Sequence, residues 1–255
     1  MNDPTHISSR DNPLLKRLRV LAQDSTAYRK QGQVWLEGDH LCRALLARGH
    51  RPATAVFSDR YWPVAPHALR DACEHRVLVP EALMAGISGL ESPAGVGFVW
   101  DLPATVGPKL GQAAVVLDRL QDAGNVGSIL RSAAAMGFAQ VLALKGTAAL
   151  WSPKVLRAGM GAHFALHLVE VLAPEDLGDL GVPMLVTSSH RGDFLHQATL
   201  PWPCAWVLGH EGQGVGAALE ALASQSVRIV QPGGEESLNV AAAAAICLHA
   251  SAAAR

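Results

Sequence analysis

The 255-residue chain lacks the features that mark several protein classes. It has no apolar run of the roughly 18–20 residues that a membrane-spanning helix needs. Its opening, MNDPTHISSRDNPLLKRLR, lacks the apolar stretch of a secretory signal. These absences point to a cytoplasmic protein with no membrane partner. Cys42, Cys73, Cys204 and Cys247 are scattered and form no C-x-x-C pair, which argues against a zinc knuckle or dithiol redox site and for buried free thiols. His163 and His167 are four apart, but HFALH lacks the Glu of a zinc-protease helix. The segment AHFALHLVEV alternates like a strand, which would put both imidazoles on one sheet face; no metal is expected. Excess charge of either sign is also missing. The chain has 21 Lys and Arg against 22 Asp and Glu, a net charge of −1, so bulk charge does not announce a nucleic-acid binder. No internal repeat or low-complexity linker appears.

What is present describes a globular protein: 49% apolar and 17% charged residues. The length accommodates one large domain or two modest ones. Charge is unevenly distributed. In the first 30 residues Arg10, Lys16, Arg17, Arg19, Arg29 and Lys30 oppose only Asp3, Asp11 and Asp24, a local basic cluster able to hold phosphates, although a solvated helix face has the same appearance. Asn12-Pro13 opens a helix with Leu14, Leu15, Leu18 and Leu21 at helical spacing. Strand QVWLEG follows, then a helix capped by Asp39 and stopped by Gly49, then strands ATAVFS, HRVLVP and GVGFVWD. The Pro- and Gly-rich stretch LPATVGPKLGQ interrupts this pattern. The expected division is a small α/β domain over 1–100, a linker over 101–112 and a second α/β domain over 113–255. In the latter, near-continuous apolar strands alternate with helices, as in a mostly parallel sheet covered on both faces.

Three glycine-punctuated segments stand out in that second half. In LDRLQDAGNVGSILRSAAAMG a buried strand ends at Asp118, a turn passes through Gly124, Asn125 and Gly127, and a helix follows with Asn125 as its cap and Arg131 in its second turn. The spacing G-N-V-G is not the G-x-G-x-x-G of a nicotinamide site. In WVLGHEGQGV an apolar strand runs straight into Gly209, His210, Glu211, Gly212, Gln213 and Gly214, and the glycines clear space where something must lie against the backbone. In RIVQPGGEESLNVAAAAAICLHA a strand runs to Pro232-Gly233-Gly234, and Ser237 or Asn239 can cap a final Ala-rich helix. Leu238 interrupts the polar run, as an apolar wall for a bound base or as a packing residue.

In this order the segments resemble the SPOUT superfamily, specifically the SpoU (TrmH-type) RNA 2′-O-ribose methyltransferases. Asn125, Gly127 and Arg131 match N-x-G-x-x-x-R. Gly209, Glu211, Gly212 and Gly214 match G-x-E-G-x-G, and Glu236 to Val240 match E-S-L-N-V. The resemblance covers about residues 113–255, and the opening is similar to the substrate-binding domain of such enzymes. It implies a SPOUT-type α/β domain with a deep trefoil knot and S-adenosyl-L-methionine as cofactor. It also implies a homodimer in which one subunit's Arg completes the other's site, with RNA as substrate, rRNA rather than tRNA. Gly209, Ile229 and Leu238 align with cofactor-contacting positions, with Leu208 and Ser237 beside them. One departure is Ile229-Val230 where relatives have Ile-Pro. A non-catalytic RNA-binding or ribosome-assembly factor of the same fold is the alternative.

The resemblance assigns the proton of the ribose hydroxyl to Arg131. A guanidinium normally keeps its charge, so Arg131 is either a base in a pocket that favours its neutral form or an electrostatic clamp on phosphate and developing alkoxide. Asn125 and Asn239 are candidate positioners of the ribose or of Arg131, and Glu211 is a candidate to orient that Arg. Lys16, Arg17 and Arg19 on the first helix are the candidate RNA grip.

Overall fold

A computed structural model describes residues 3–104, 106–188, 191–234 and 237–255. Glu235 and Glu236, two of the motif-three residues, lie outside the described residues. The chain divides into two units: Met1–Ala104 with Trp151–Phe164, and Thr105–Leu150 with Ala165–Arg255.

In the first unit a short strand β1 (Thr5–His6) precedes helix α1 (Pro13–Gln23). The Asn12 side chain accepts the Leu14 N–H at 2.9 Å and Pro13 supplies the preset φ of the first helical position. Leu15, Leu18, Leu21 and Ala22 fall on one face and are buried. Helix α2 (Ala27–Gln31), strand β2 (Gln33–Glu37) and helix α3 (Asp39–Ala47) follow. Asp39 does not cap α3. Gly38 takes that position at φ 98°, and Asp39 begins the first turn, where its carboxylate serves Arg43 one turn on and the Tyr61 hydroxyl at 3.0 Å. Strand β3 (Thr54–Ser58), helix α4 (His67–Arg70), strand β4 (Arg76–Val79), helix α5 (Glu81–Ala85) and strand β5 (Val96–Asp101) complete a five-stranded sheet in the order β1-β4-β3-β5-β2. It is mixed: β5 runs antiparallel to β2 and β3, while β4 is parallel to β1 and β3.

The second unit contains strand β6 (Ala114–Leu117), helix α6 (Ala123–Ala135) and strand β7 (Gln140–Leu144). The intervening helix α7 (Pro153–Gly159) clusters with the first unit, which the expected boundary at 101–112 does not anticipate. Strands β8 (His167–Leu172), β9 (Met184–Thr187), β10 (Asp193–Phe194) and β11 (Ala205–Leu208) follow, then helix α8 (Ala217–Leu222), strand β12 (Gln225–Arg228) and helix α9 (Val240–Ala253). The sheet order is β10-β12-β9-β11-β6-β7-β8, and every neighbouring pair is parallel. Val116, Leu142, Val169, Val186 and Val207 share one core face of this sheet. From the other side α9 is held by Ser251, whose hydroxyl accepts the Trp206 indole N–H at 2.8 Å inside the core.

Several local expectations change. Helix α6 starts at Ala123, and its cap is Asp122, whose carboxylate accepts the Asn125 N–H at 2.7 Å. Gly124, Asn125 and Gly127 therefore lie within the helix, which places Arg131 in its third turn. Strand β12 ends at Arg228 rather than running to Pro232. His163 and His167 do not share a sheet face. Met160 and Gly161 take positive φ (48° and 86°) and reverse the chain, leaving His163 in a short 3-10 turn against Trp151 while His167 begins β8. The residues before β6 are tied to this unit by Gln140. Its fully buried amide exchanges two hydrogen bonds with the Lys109 backbone, at 2.9 and 2.7 Å.

Candidate active site

Because the strands of the second unit are parallel, the carboxyl ends of β6, β9, β11 and β12 open on the same edge of the sheet, where open α/β sheets hold ligands. The loop after β11 (209–216) and residues 229–231 and 237–239 beyond β12 meet there around a cavity of ≈ 330 Å³. Gly209, His210, Glu211, Gly214 and Val215 form one wall. Val227, Ile229, Gln231, Ser237, Leu238 and Asn239 form the other, and Thr187, Ser188, Val240 and Ala243 complete it. Size and mixed lining suit a small-molecule site.

The first wall is a tight turn. His210 and Gly214 exchange backbone hydrogen bonds of 3.0 and 2.8 Å, and His210 Nδ1 accepts the Gly212 N–H. The need for glycine at 209 comes from this turn. A methyl group there would lie 2.5 Å from the Gly214 carbonyl oxygen and closer still to the Gly214–Val215 peptide. The close neighbour is the loop's own backbone, not a ligand.

The same turn is anchored to the end of β6. Asp118 is buried, and its carboxylate accepts the Gly216 N–H at 2.7 Å and pairs with both Nε and Nη2 of Arg119 at 2.7 and 3.1 Å. Arg119 Nη1 continues to the Gln213 side chain at 3.1 Å. Arg119 sits at φ 60°, a left-handed conformation disfavoured for a residue with a Cβ. Thr147 braces that corner by donating to the Leu117 carbonyl and accepting the Arg119 N–H. Asp118 and Arg119 were not singled out from the sequence; a charged pair directly after a buried apolar strand was the available signal.

The three motifs converge through two amides and a carboxylate. Asn239 caps α9 by accepting the N–H groups of Ala241 and Ala242 at 2.9 and 3.2 Å, and its own amide donates to Asn125 Oδ1 at 2.9 Å. The Asn125 amide in turn donates to Glu211 Oε1 at 3.3 Å, and Glu211 also faces the N–H groups of Gln121 and Asp122 at the start of α6. Partial burial acts to raise the Glu211 carboxyl. Donation from its own N–H, the Asn125 amide and those two backbone groups outweighs this, so it lies below the usual carboxylate value.

The expected site residues thus separate into groups. Gly209, Glu211, Ile229, Ser237, Leu238 and Asn239 line the cavity, and Asn125 joins them through its hydrogen bonds. Leu208 is fully buried in β11 and is not part of the lining. Arg131 is exposed on α6 and, among the described residues, its side chain makes no hydrogen bond or ion pair; Glu211 faces Asn125 and the α6 terminus rather than Arg131 of its own chain. In the first unit Lys16 pairs with Asp11 at 3.0 Å and Arg19 donates to the Arg10 carbonyl at 2.6 Å, while Arg17 stands exposed. Among the described residues no His, Cys, Asp and Glu cluster suits a metal ion, and no helix is long and apolar enough to cross a membrane.

Residues 112–249 match the SpoU rRNA Methylase family. The chain belongs to that family. It is 33% identical to an uncharacterized tRNA/rRNA methyltransferase of Synechocystis sp., over 97% of this chain and 93% of the relative. It is 32% identical to the 23S rRNA (guanosine(2553)-2′-O)-methyltransferase RlmP of Bacillus subtilis, over 84% of this chain and 86% of the relative. Among solved structures, the AdoMet-bound rRNA methyltransferase from Sinorhizobium meliloti superposes with a TM-score of 0.82 at 25% identity, covering 97% of each chain. The nicotinamide alternative loses its physical basis too, since Gly124 and Gly127 lie inside α6 rather than in a phosphate-cradling loop.

Proposed function

We propose that this protein transfers the methyl group of S-adenosylmethionine to a ribose 2′-hydroxyl in RNA, with rRNA favoured over tRNA. The observation that carries the reading is the meeting of three distant segments at one cavity, joined by the Asn239–Asn125–Glu211 hydrogen bonds. The relatives' activities on rRNA support the substrate class.

The residues present fit the cofactor. Ile229, Leu238, Val240 and Ala243 offer an apolar wall for a purine, the Glu211 carboxylate can face a cation, and a buried amide oxygen on Gln231 has no hydrogen-bond partner. Bound there, the cofactor supplies a methyl group on a sulfonium that is already primed to leave. The chain's part is to hold the ribose in line with that methyl and to manage one proton. Asn125 and Asn239 are fixed by their mutual hydrogen bond and hold the approach to the cavity; Glu211 fixes Asn125 in turn. Arg131, with its guanidinium uncommitted, binds the phosphate beside the target ribose and stabilises charge developing on the 2′-oxygen. It lies off the cavity lining of its own chain, which supports a homodimer in which it serves the partner's site. Ile246 of α9, 41% exposed, suits such an interface.

The second unit is read as the deep trefoil knot of this superfamily. In support, β11 is inserted between β9 and β6, and the chain beyond β12 returns to share a cavity with the 209–216 loop. The first unit is read as the RNA-binding domain, with Lys16, Arg17 and Arg19 on α1 as phosphate contacts and the whole enzyme acting in the cytoplasm.

The test is labelled methyl transfer to total RNA with 2′-O-methyl mapping. Arg131→Ala is expected to lower transfer at least about 100-fold while S-adenosylhomocysteine affinity stays within about twofold. Full turnover by that variant would remove Arg131 from the chemistry, and label on bases rather than riboses would overturn the reaction assignment.

A further inference from the structure

Strands β2 and β3 both run antiparallel to β5, so they enter the first unit's sheet from the same edge, one on each side of the end of β5. Backbone hydrogen bonds fix both entrances there. The Leu102 N–H donates to the Gly32 carbonyl at 2.9 Å, and the Ala53 N–H donates to the Val99 carbonyl at 2.8 Å. Each entrance follows a helix stopped at a left-handed glycine, Gly32 at φ 64° after α2 and Gly49 at φ 78° after α3. With neighbouring strands roughly 4.8 Å apart, the two entrances lie about 10 Å from each other.

This edge gathers cations in a protein whose net charge is −1. Arg29 and Lys30 lie in the last turn of α2, Arg48 caps the end of α3 and Arg51 comes just before β3; all four are exposed. The side chains of Lys30, Arg48 and Arg51 make no hydrogen bond or ion pair among the described residues. Asp101, at the end of β5, accepts the Gln33 amide at 2.6 Å, and Asp71 and Glu74 precede β4, on the far side of β3. A favourable helix dipole accounts for cations at the ends of α2 and α3. It does not account for Arg51, which has left the helix, and like charges gathered without acids repel one another. We propose that this edge is a second RNA-backbone contact, in addition to the cations of α1, an inference that rests on the RNA reading above. Exposed, unpaired cations on both sides of a strand end match a run of phosphates, and long Lys and Arg side chains reach them without reading base sequence. His50 lies between Arg48 and Arg51 in the chain, held by Trp100 with ring centroids 5.2 Å apart, and adds a ring N–H donor to the same surface.

Filter binding of the full-length protein to unmodified rRNA fragments across a salt series tests this without turnover. Lys30, Arg48 and Arg51 replaced together by Gln are expected to lower affinity at least about tenfold and to reduce the log–log salt slope by about 2–3 units. S-adenosylhomocysteine affinity and melting temperature are expected to stay at the parent values. Arg51→Gln alone, outside any helix, is expected to remove about 0.7–0.9 of a unit, and it decides the matter if the triple variant does not fold. The parent slope in a folded variant, which is what a surface for an acidic protein partner would give, would overturn the assignment while leaving the RNA reading intact. Failure of the unsubstituted protein to bind RNA would overturn both.

Discussion

Removing the Asp118 carboxylate should loosen the cavity wall it never touches. Asp118 is 2% exposed, and three contacts depend on it: the Gly216 N–H at 2.7 Å and two arms of the Arg119 guanidinium. In Asp118→Ala the Gly216 N–H loses a charged acceptor, worth about 1.5–3 kcal/mol. The Arg119 contribution must be discounted, because that side chain is 37% exposed and water replaces much of the ion pair, leaving less than about 1 kcal/mol. The sum is roughly 2–4 kcal/mol, or about 5–12 °C in the melting of a unit this size. Arg119→Met keeps the Asp118–Gly216 bond and gives up only the screened pair and the link to Gln213, so it should cost under about 1 kcal/mol. Since Gly216 closes the 209–216 loop, Asp118→Ala should also weaken S-adenosylhomocysteine by about tenfold, a loss of one well-made polar anchor. Differential scanning calorimetry and ligand titration on the three proteins provide the comparison. The reasoning fails if Asp118→Ala melts within about 0.5 kcal/mol of the parent with unchanged affinity, or if Arg119→Met proves the more damaging substitution.

Other substitutions separate roles that the geometry combines. Asn239→Ala removes the α9 cap and should cost about 1 kcal/mol together with most methyl transfer. Asn239→Asp restores the cap but has no N–H for Asn125, so melting should recover while transfer does not; recovery of both would show that only the cap matters. Replacing Lys16, Arg17 and Arg19 together by Gln should lower RNA affinity and flatten its dependence on salt, with a log–log slope smaller by about 1–3 units. Arg17, exposed and unencumbered, should account for the largest single share, because Lys16 and Arg19 are already engaged by Asp11 and the Arg10 carbonyl. An unchanged slope in filter binding would dismiss α1 as the phosphate contact.

The parts of the fold that were legible in sequence are those where one local signal dominates. Val115, Val116 and Leu117, like Trp206 and Val207, sit in runs buried on both faces, and such runs read as parallel strands without any knowledge of their neighbours. Asn12-Pro13 announced α1 because cap and first-turn proline are specified within two residues. The errors fall where the local signal is weak, short or overridden. Gly124, Asn125 and Gly127 are poor helix formers, so the start of α6 reads as a turn; Asp122 supplies the cap that recruits them. Two-residue strands such as β10 carry too little pattern to detect. The grouping of Trp151–Phe164 with the first unit depends on contacts across the chain that no local window contains.

For the site, the motifs marked which residues matter more reliably than what each one does. Asn125 looks like a helix cap because its neighbours are glycines; in the structure it is capped by Asp122, and its amide bridges Asn239 to Glu211. Gly209 looks like room for a ligand, and it is room for the loop's own return. Residues that the motif patterns do not specify complete the arrangement. Asp118 and Arg119 hold the loop from behind, and Gln231 lines the cavity three residues past the end of β12. That difference has a physical origin. A motif records constraints between residues close in sequence, whereas a pocket is made by segments whose strands are neighbours in the sheet. Once β11 lies between β9 and β6, the loop leaving it and the chain leaving β12 share one edge, and side chains more than a hundred residues apart, such as Asn125 and Asn239, come within hydrogen-bond distance.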